Sequence, residues 1–297
     1  MLRDRESTER PRAIWALSEH HRFAITSLWE LGPLLVETCD IAPGRRVLDV
    51  AAGQGNVAIR ASEAGAEVIA SDVTQAAALP FADASFDVVT SAVAAIFAPD
   101  HQTVADELLR VCRPGGTIGL VALAPSGAVL DLFELVGRFA PRPLFGGASP
   151  LEWGRDEHVR ELFGDRVKSL TVARRSLTPS PLADLGLLEA DHPALAALYR
   201  DLAPRPARLA ALDRELGDLF RRHDGESQEL LLIVARKRRV ATGGDPREGA
   251  EAPSHASTPL VQPGNERNEL RNELRRLSAG RGRAADRGAR LLEDVGE

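Results

Sequence analysis

The sequence predicts an α/β protein built on a doubly wound, mostly parallel sheet with helices on both faces. Between residues 41 and 124, short apolar runs alternate with segments whose apolar residues lie three or four positions apart. Strands that are apolar on both sides are typical of a parallel sheet covered on both faces. A loop with two glycines directly follows the first apolar run. Sheets of this kind bind ligands beyond the carboxyl ends of their strands.

The first predicted helical segment covers residues 12–40, and Gly32-Pro33 predicts a break within it. After a turn, a short strand is predicted to end at Asp49 and Val50. A helix over 58–65 follows, and a second strand is predicted over 66–72.

The next predicted strand covers residues 85–94. Asp100 is a favoured N-cap residue, and it predicts the start of a helix that runs to about Val111. The RPGG sequence at 113–116 is predicted to end this helix, and the continuous apolar run 117–124 is predicted as a strand.

Two strands are predicted in the second half, over 167–177 and 228–238. Between them, residues 181–222 are rich in Ala, Leu and Arg at helical spacing. These elements predict a strand, a helical excursion and a closing strand, which complete the sheet and cover its ligand edge.

Composition and charge exclude several classes of protein. The formal net charge is −6 with acids and bases interspersed, so we expect no nucleic-acid partner. The cysteines, Cys39 and Cys112, are far apart and have no His at metal-ligand spacing, so we expect a reduced protein without a disulfide or metal site. The charged N-terminus resembles no signal peptide, and the apolar runs are too short to cross a membrane. A cytoplasmic protein without a membrane partner is expected.

The loop after the first strand reads Asp-x-Ala-x-Gly-x-Gly from Asp49 to Gly55. Glycine allows a tight turn and lets a ligand approach the backbone, and the helix behind the loop offers free N–H groups. Asp72 lies 23 residues after Asp49, where a carboxylate at the end of a second strand can accept both hydroxyls of a ribose. With Ala58 as its third member, a dinucleotide fingerprint is not excluded by the glycines alone.

The chain resembles the class I S-adenosylmethionine-dependent methyltransferases, in particular the small-molecule type with LPFxDxSFD and RPGG motifs. LPFADASFDVV stands at 79–89 and ELLRVCRPGGTIGL at 107–120, and the resemblance covers roughly residues 12–178. It implies a Rossmann-like fold whose last strand is antiparallel, S-adenosyl-L-methionine as the cofactor, and methyl transfer to a small-molecule acceptor.

The resemblance also implies roles for particular residues. Asp49 and the loop backbone would hold the methionine end of the cofactor, Asp72 the ribose hydroxyls, and Val73 the adenine. The remaining implied cofactor contacts are Ala51, Ala52, Gly53, Gly55, Ser91 and Ala92. Ala51 replaces the usual first glycine of the loop.

Candidates for a general base are His20 and His21, because in this family the N-terminal helix caps the site. His101 is a third candidate, but it follows Pro99-Asp100 at a predicted helix start and is expected at the surface. Four aromatic residues could line an apolar substrate pocket, although aromatic residues at helical spacing are more often part of the core: Trp15, Trp29, Phe97 and Trp153.

Against the family pattern, the third strand and the helix before it are predicted to be missing. Only Val73 to Ala78 separate Asp72 from Leu79. Both ends of the deleted unit lie at the carboxyl edge of the sheet, so the remaining chain can cross, with 73–85 spanning up to ~43 Å at ~3.3 Å per residue. The family's adenine-binding acid is replaced by alanine, a loss of roughly 0.5–1.5 kcal/mol. The second strand becomes an edge that allows a homodimer.

Three regions are predicted: an N-terminal helical cap over 1–40, a methyltransferase domain over 41–240 with the helical insert 181–222, and a tail over 241–297. The tail is rich in Gly, Pro, Ser and acid and predicts disorder. Within it, 266–277 could form a short helix with Leu270, Leu274 and Leu277 on one stripe, for which a solvated, transient helix is the favoured interpretation.

Two rival functions remain open from the sequence. A non-catalytic, methyltransferase-like binding or interaction protein with a degenerate cofactor site would explain the deletion and the tail. A nicotinamide oxidoreductase would require a Tyr-x-x-x-Lys dyad, but Tyr199, the single tyrosine, has no lysine near it in the sequence.

Overall fold

The computed structural model describes residues 28–71, 76–140, 147–177 and 193–239. All of them belong to one compact unit, Met1–Ala241, and the second unit, Thr242–Glu297, lies outside the described residues. The predictions for residues 1–27, for Asp72 and Val73, and for the tail therefore also fall outside them.

Six strands form a single sheet in the order β2-β1-β3-β4-β6-β5. Their bounds are Arg46–Asp49 (β1), Glu67–Ala70 (β2), Phe86–Ala92 (β3), Cys112–Leu123 (β4), Val167–Leu177 (β5) and Gln228–Lys237 (β6). The first four strands are parallel, and β6 runs antiparallel between β4 and β5. The predicted fold class is confirmed, and the last of these strands along the chain, β6, is antiparallel as predicted.

The helices are Leu31–Thr38 (α1), Asn56–Glu63 (α2), His101–Val111 (α3), Gly127–Phe139 (α4), Asp156–Phe163 (α5), Pro193–Leu202 (α6) and Pro206–Arg222 (α7). Gly32-Pro33 lies in the first turn of α1, where proline is tolerated because the helix start needs no N–H there. A side chain at Gly32 would place its Cβ 2.1 Å from the Asn56 carbonyl oxygen, so glycine lets α1 pack directly on α2.

The missing helix–strand unit is visible in the strand order. Among the described strands, β2 forms one edge of the sheet, and the chain that resumes at Ala76 leads into β3 without a further strand. Three of the four β2 residues are exposed, which is unusual for a parallel strand. Ile69 is 40% exposed on this edge.

One local prediction was wrong. The RPGG residues do not separate α3 from β4, because β4 already begins at Cys112 and contains them. Cys112 pairs with Phe86 and Thr117 with Val88, so the additional residues form an irregularity in the ladder. Gly115 takes a φ of +77° there, a conformation that glycine adopts readily and that sequence periodicity does not reveal.

A second hydrophobic cluster lies outside the core of the sheet. It joins α4, α6 and α7 through buried leucines, among them Leu132, Leu198 and Leu216. α4 begins just after β4 ends at Leu123, and Leu123 pairs with Leu230 near the start of β6. The chain therefore leaves the sheet for these helices, and returns from them to the sheet, at the carboxyl edge of the parallel strands.

None of the helices in the described ranges has the length and apolar composition needed to cross a membrane.

Candidate functional site

Asp49 is the last residue of β1 and is only 1% exposed. Its carboxylate accepts a hydrogen bond from the Thr90 hydroxyl over 3.1 Å and another from the Ala58 N–H over 3.1 Å. Burial raises the pKa of Asp49 to about 7, against the opposing effect of these two donors. Asp49 thus fastens β1 to β3 and to the first turn of α2.

The loop after β1 uses three left-handed residues to turn into α2. Ala51 has a φ of +56°, Gly53 +54° and Gly55 +82°. Gly55 is the N-cap position of α2, and its N–H donates to the Ala52 carbonyl over 2.8 Å. Since a left-handed conformation costs a non-glycine residue of the order of 1–2 kcal/mol, Ala51 is a strained point of the loop.

Ser71 connects the end of β2 to this loop. Its N–H donates to the Asp49 carbonyl over 2.9 Å, and its own carbonyl accepts from the Ala52 N–H over 3.0 Å. The Ser71 side chain is buried, and its hydroxyl has no hydrogen-bond partner within the described part of the chain. A buried polar atom of this kind is expected to meet a ligand or water.

Ser91 holds the end of β3 beside the same loop. Its hydroxyl donates to the Val50 carbonyl over 2.8 Å and accepts from the Ala95 N–H over 3.1 Å. The neighbouring Ala92 is half-buried, and Val93 has a φ of +56°. A β-branched residue in the left-handed region is uncommon, and such strain is typical of functional sites.

The chain that replaces the missing unit is anchored on α3. Arg110 donates to the carbonyls of Leu79 and Phe81 over 2.9 and 2.7 Å and forms a salt bridge with Asp83. Glu107 accepts the Leu79 N–H over 2.7 Å and pairs with Arg110. The LPF and ELLR motifs are thus two halves of one hydrogen-bonded network.

His101, Trp153 and His158 form a second polar group at the carboxyl edge, here named the His101 cluster. Nδ1 of His101 lies 3.0 Å from Nε2 of His158, and the Trp153 ring packs against both imidazoles. His101 is 4% exposed and Trp153 is fully buried, whereas His158 is half-buried.

The expectation that His101 lies at the surface was wrong. It is the first residue of α3, but the segment from Gly147 to His158 folds over it, with the Ala148 N–H donating to the Pro99 carbonyl over 3.3 Å. Burial lowers the pKa of His101 to about 4, with a further effect from His158, against weaker opposing effects of Glu152, Asp100 and the Ile96 carbonyl.

The structure brings part of the predicted site together. Asp49, the loop 51–55 and the end of β3 at Ser91 and Ala92 lie on adjacent parallel strands, with Asp49 in register with Thr90. The general-base candidates His20 and His21, and the predicted cofactor contacts Asp72 and Val73, lie outside the described residues. The sequence predictions did not include Ser71, Thr90, Val93 or the pairing of His101 with His158. For Thr90 the signal was its place near the end of β3, opposite Asp49.

Sequence comparisons relate the chain to a methyltransferase domain and to mycobacterial proteins. A family model described as "Methyltransferase domain" matches residues 73–120. The Mycobacterium tuberculosis protein Rv1405c is 37% identical over 259 residues, covering 76% of this chain and 94% of that protein. Demethylmenaquinone methyltransferase from Renibacterium salmoninarum is 36% identical over 104 residues, covering 29% of this chain and 44% of that protein.

Two solved structures are similar at low sequence identity. The YcgJ protein from Bacillus subtilis has a TM-score of 0.45 and 19% identity, over 70% of this chain and 98% of that one. Phosphoethanolamine N-methyltransferase 2 from Haemonchus contortus, in complex with S-adenosyl-L-methionine, has a TM-score of 0.45 and 15% identity, over 71% of this chain and 53% of that one.

The matched family model spans the anchored bridge, α3 and the beginning of β4, and Rv1405c extends the relationship along most of the chain. The protein contains a methyltransferase domain, whose cofactor is S-adenosyl-L-methionine, and it belongs to one family with Rv1405c.

Proposed function

We propose that the protein transfers a methyl group from S-adenosyl-L-methionine to a small-molecule acceptor. The observation that carries this proposal is the loop from Ala51 to Gly55 between β1 and α2. It lies where β1 pairs with both β2 and β3, and the strand order changes direction at β1. Doubly wound sheets bind their ligands at such a position.

Two observations support the fit of the cofactor to this loop. Among the described residues, no atom lies within 4 Å of a Cβ added at Gly53, so this part of the chain leaves space beside the backbone there. The buried Ser71 hydroxyl has no hydrogen-bond partner in the described ranges, and a cofactor with amino-acid and ribose groups supplies many polar atoms. In the proposal, Asp49 holds the loop in place, and Ala51, Ala52, Gly53 and Gly55 hold the methionine end.

The remaining predicted contacts complete the proposed site. Asp72 would accept the ribose hydroxyls and Val73 would lie against the adenine, while Ser91 and Ala92 would line the methionine side. The Ser91 hydroxyl is already hydrogen-bonded to Val50 and Ala95, so its proposed role is to fix the shape of the wall.

When bound, the cofactor supplies a methyl group on a sulfonium, which is already activated for in-line displacement. The residues of this chain then have to align the acceptor and exclude water. The α4, α6 and α7 layer returns to the carboxyl edge of the sheet and would provide the wall of the acceptor site. His20 and His21 remain the proposed candidates for a general base.

A small acceptor is favoured by the charge and size of the available surface. The chain carries a formal net charge of −6, which does not attract nucleic acid. The helical layer is a compact insert with its own hydrophobic cluster, as expected for a cover over a small metabolite.

Calorimetric titration with S-adenosylhomocysteine tests the cofactor site. Gly53→Ala and Gly44→Ala are a matched pair, because both glycines have positive φ, +54° and +76°, and no atom of the described residues lies within 4 Å of a Cβ added at either one. We expect both variants to lose about 1 kcal/mol of stability. Only Gly53→Ala should lower the affinity for S-adenosylhomocysteine, by about tenfold or more, because the added methyl group would occupy the cofactor position.

The titration also separates the two functions left open by the sequence. If folded wild-type protein gives no binding heat up to millimolar ligand, the proposal fails and the non-catalytic binding protein replaces it. If the ligand binds and Gly53→Ala weakens it selectively, transfer from methyl-labelled cofactor to a panel of small acceptors identifies the product.

A further inference from the structure

Among the residues that the structure describes, two buried polar atoms of the His101 cluster have no hydrogen-bond partner, His101 Nε2 and Trp153 Nε1. Their side chains are 96% or more buried, with exposures of 4% and 0%. Their rings are neighbours, with centroids 5.6 Å apart. An unpaired buried polar atom costs about 1–3 kcal/mol, so two in one ring cluster indicate that a further group completes them.

The cluster is placed on the acceptor side of the proposed site. Gly154, next to Trp153, packs so closely on the end of β4 that an added Cβ would lie 2.0 Å from the Leu123 carbonyl oxygen. His101 begins the helix that follows β3. The ribose position predicted at Asp72 follows β2, which is separated from β4 by β1 and β3.

The hydrogen-bonding capacity of the cluster restricts the missing group. Trp153 Nε1 can only donate a hydrogen bond. If His101 Nδ1 donates to His158, then Nε2 of His101 is an acceptor; if His158 donates instead, Nε2 carries a hydrogen and donates. A hydroxyl satisfies either tautomer, because its oxygen has two lone pairs and one hydrogen. An ammonium group satisfies neither, because it cannot accept from the indole.

We propose that His101 and Trp153 form a buried subsite for a hydroxyl group of the methyl acceptor, with His158 fixing the orientation of the His101 ring. That the bound molecule is a methyl acceptor rests on the proposed function. That it carries a hydroxyl group rests on the two unpaired ring nitrogens. It assigns the acceptor to the class of hydroxylated small molecules. The low pKa of His101 supports it, because a neutral imidazole keeps the tautomers on which the pairing depends.

The test uses nuclear magnetic resonance on the full-length chain labelled with ¹⁵N. Phenol is the hydroxyl probe, and toluene, which has nearly the same shape without the oxygen, is its control. Trp153→Phe and His101→Gln assign the indole N–H and the imidazole nitrogens by loss of their signals. We expect phenol to shift the Trp153 indole and His101 Nε2 signals until the site is saturated. The affinity for phenol should be about tenfold higher than that for toluene, because phenol forms one or two additional hydrogen bonds.

Equal shifts with both probes would overturn the proposal, because the space would then be an apolar pocket. The absence of any phenol shift from folded protein would also overturn it and leave a resident water only. Shifts of the same signals with S-adenosylhomocysteine alone would assign the subsite to the cofactor and overturn its role for the acceptor.

The cofactor titration is independent of this measurement. If S-adenosylhomocysteine binds and phenol does not, the proposed methyl transfer is retained and the proposed hydroxyl subsite is overturned. If phenol binds and the cofactor does not, the assignment to a methyl acceptor is overturned. The probes are applied to the wild-type chain, so the folding of the variants affects only the assignment of the signals.

Discussion

The Thr90 hydroxyl donates a hydrogen bond of 3.1 Å to the Asp49 carboxylate, and the two residues are paired in register across β1 and β3. Both are buried, with exposures of 0% and 1%. This contact joins the two strands at the point where the glycine loop leaves the sheet. The buried Asp49 carboxylate is therefore held by two hydrogen-bond donors at the end of β1, where the loop of the proposed cofactor site begins.

Replacement of Thr90 by valine keeps the shape and removes the hydroxyl. We expect a loss of about 1–3 kcal/mol in the free energy of unfolding, because the buried Asp49 then lacks one of its two donors. Urea denaturation measures this change. Thr171→Val, at an exposed strand position, is the control and should stay within about 0.5 kcal/mol of wild type. Equal effects of the two variants would contradict the role of the Thr90 contact.

Ala51→Gly is expected to stabilise the protein. Ala51 has a φ of +56°, a conformation that costs alanine about 1 kcal/mol and glycine almost nothing. Ala58→Gly, in helix α2, should have the opposite sign and destabilise by about 1 kcal/mol. Thermal and urea unfolding of both variants provide the measurement. If Ala51→Gly is less stable than wild type, the backbone at Ala51 is not strained.

The dependence of stability on pH should have two opposing parts. The pKa of His101 is lowered from 6.5 to about 4, so in that range the unfolded chain binds more protons and stability is lost as the pH falls. The pKa of Asp49 is raised from 3.8 to about 7, so the folded chain binds more protons there and stability is lost as the pH rises.

Two variants separate these parts. In urea titrations at several values between about pH 4.5 and 6.5, His101→Gln should remove a contribution that rises with pH. Asp49→Asn should remove one that falls with pH, so the two slopes should move in opposite directions from that of wild type. Slopes that move in the same direction would contradict the burial of one of these groups.

Arg110→Ala should release the chain between β2 and β3. The guanidinium donates to the Leu79 and Phe81 carbonyls, so its loss should cost about 1–3 kcal/mol and accelerate hydrogen exchange at the Leu79 amide. Arg160→Ala is the control, because its partner Asp156 is exposed on the same helix and such pairs contribute less than about 0.5 kcal/mol. Unchanged exchange at Leu79 would argue against an anchor at Arg110.

The order and type of the described elements could be predicted because each strand is a short apolar run with a helix or a turn on either side. Strands β5 and β6 match their predicted ranges within one residue. The missing unit could be predicted from the six residues between Asp72 and Leu79. The N-cap of α3 is also confirmed, since the Asp100 side chain accepts the Thr103 N–H over 3.0 Å.

Contacts between residues far apart in the sequence could not be predicted. His101 is buried by Trp153 and His158, more than 50 residues later, and no local pattern records that contact. The pairing of Thr90 with Asp49 depends on strand register, which apolar runs do not specify. The inclusion of RPGG in β4 depends on a positive φ at Gly115 and on the salt bridge between Arg113 and Asp87.

The position of β6 has a consequence for synthesis. Strand β5 pairs only with β6 among the described strands, and β6 is also the neighbour of β4. The strand that closes the sheet is therefore made last, after α6 and α7. While the chain is emerging from the ribosome, β4 has one open edge and β5 has no partner until Gln228–Lys237 arrives. A nascent chain stopped before that segment would carry an open edge on β4 and an unpaired β5, so β6 sets the moment at which the sheet can form as a whole.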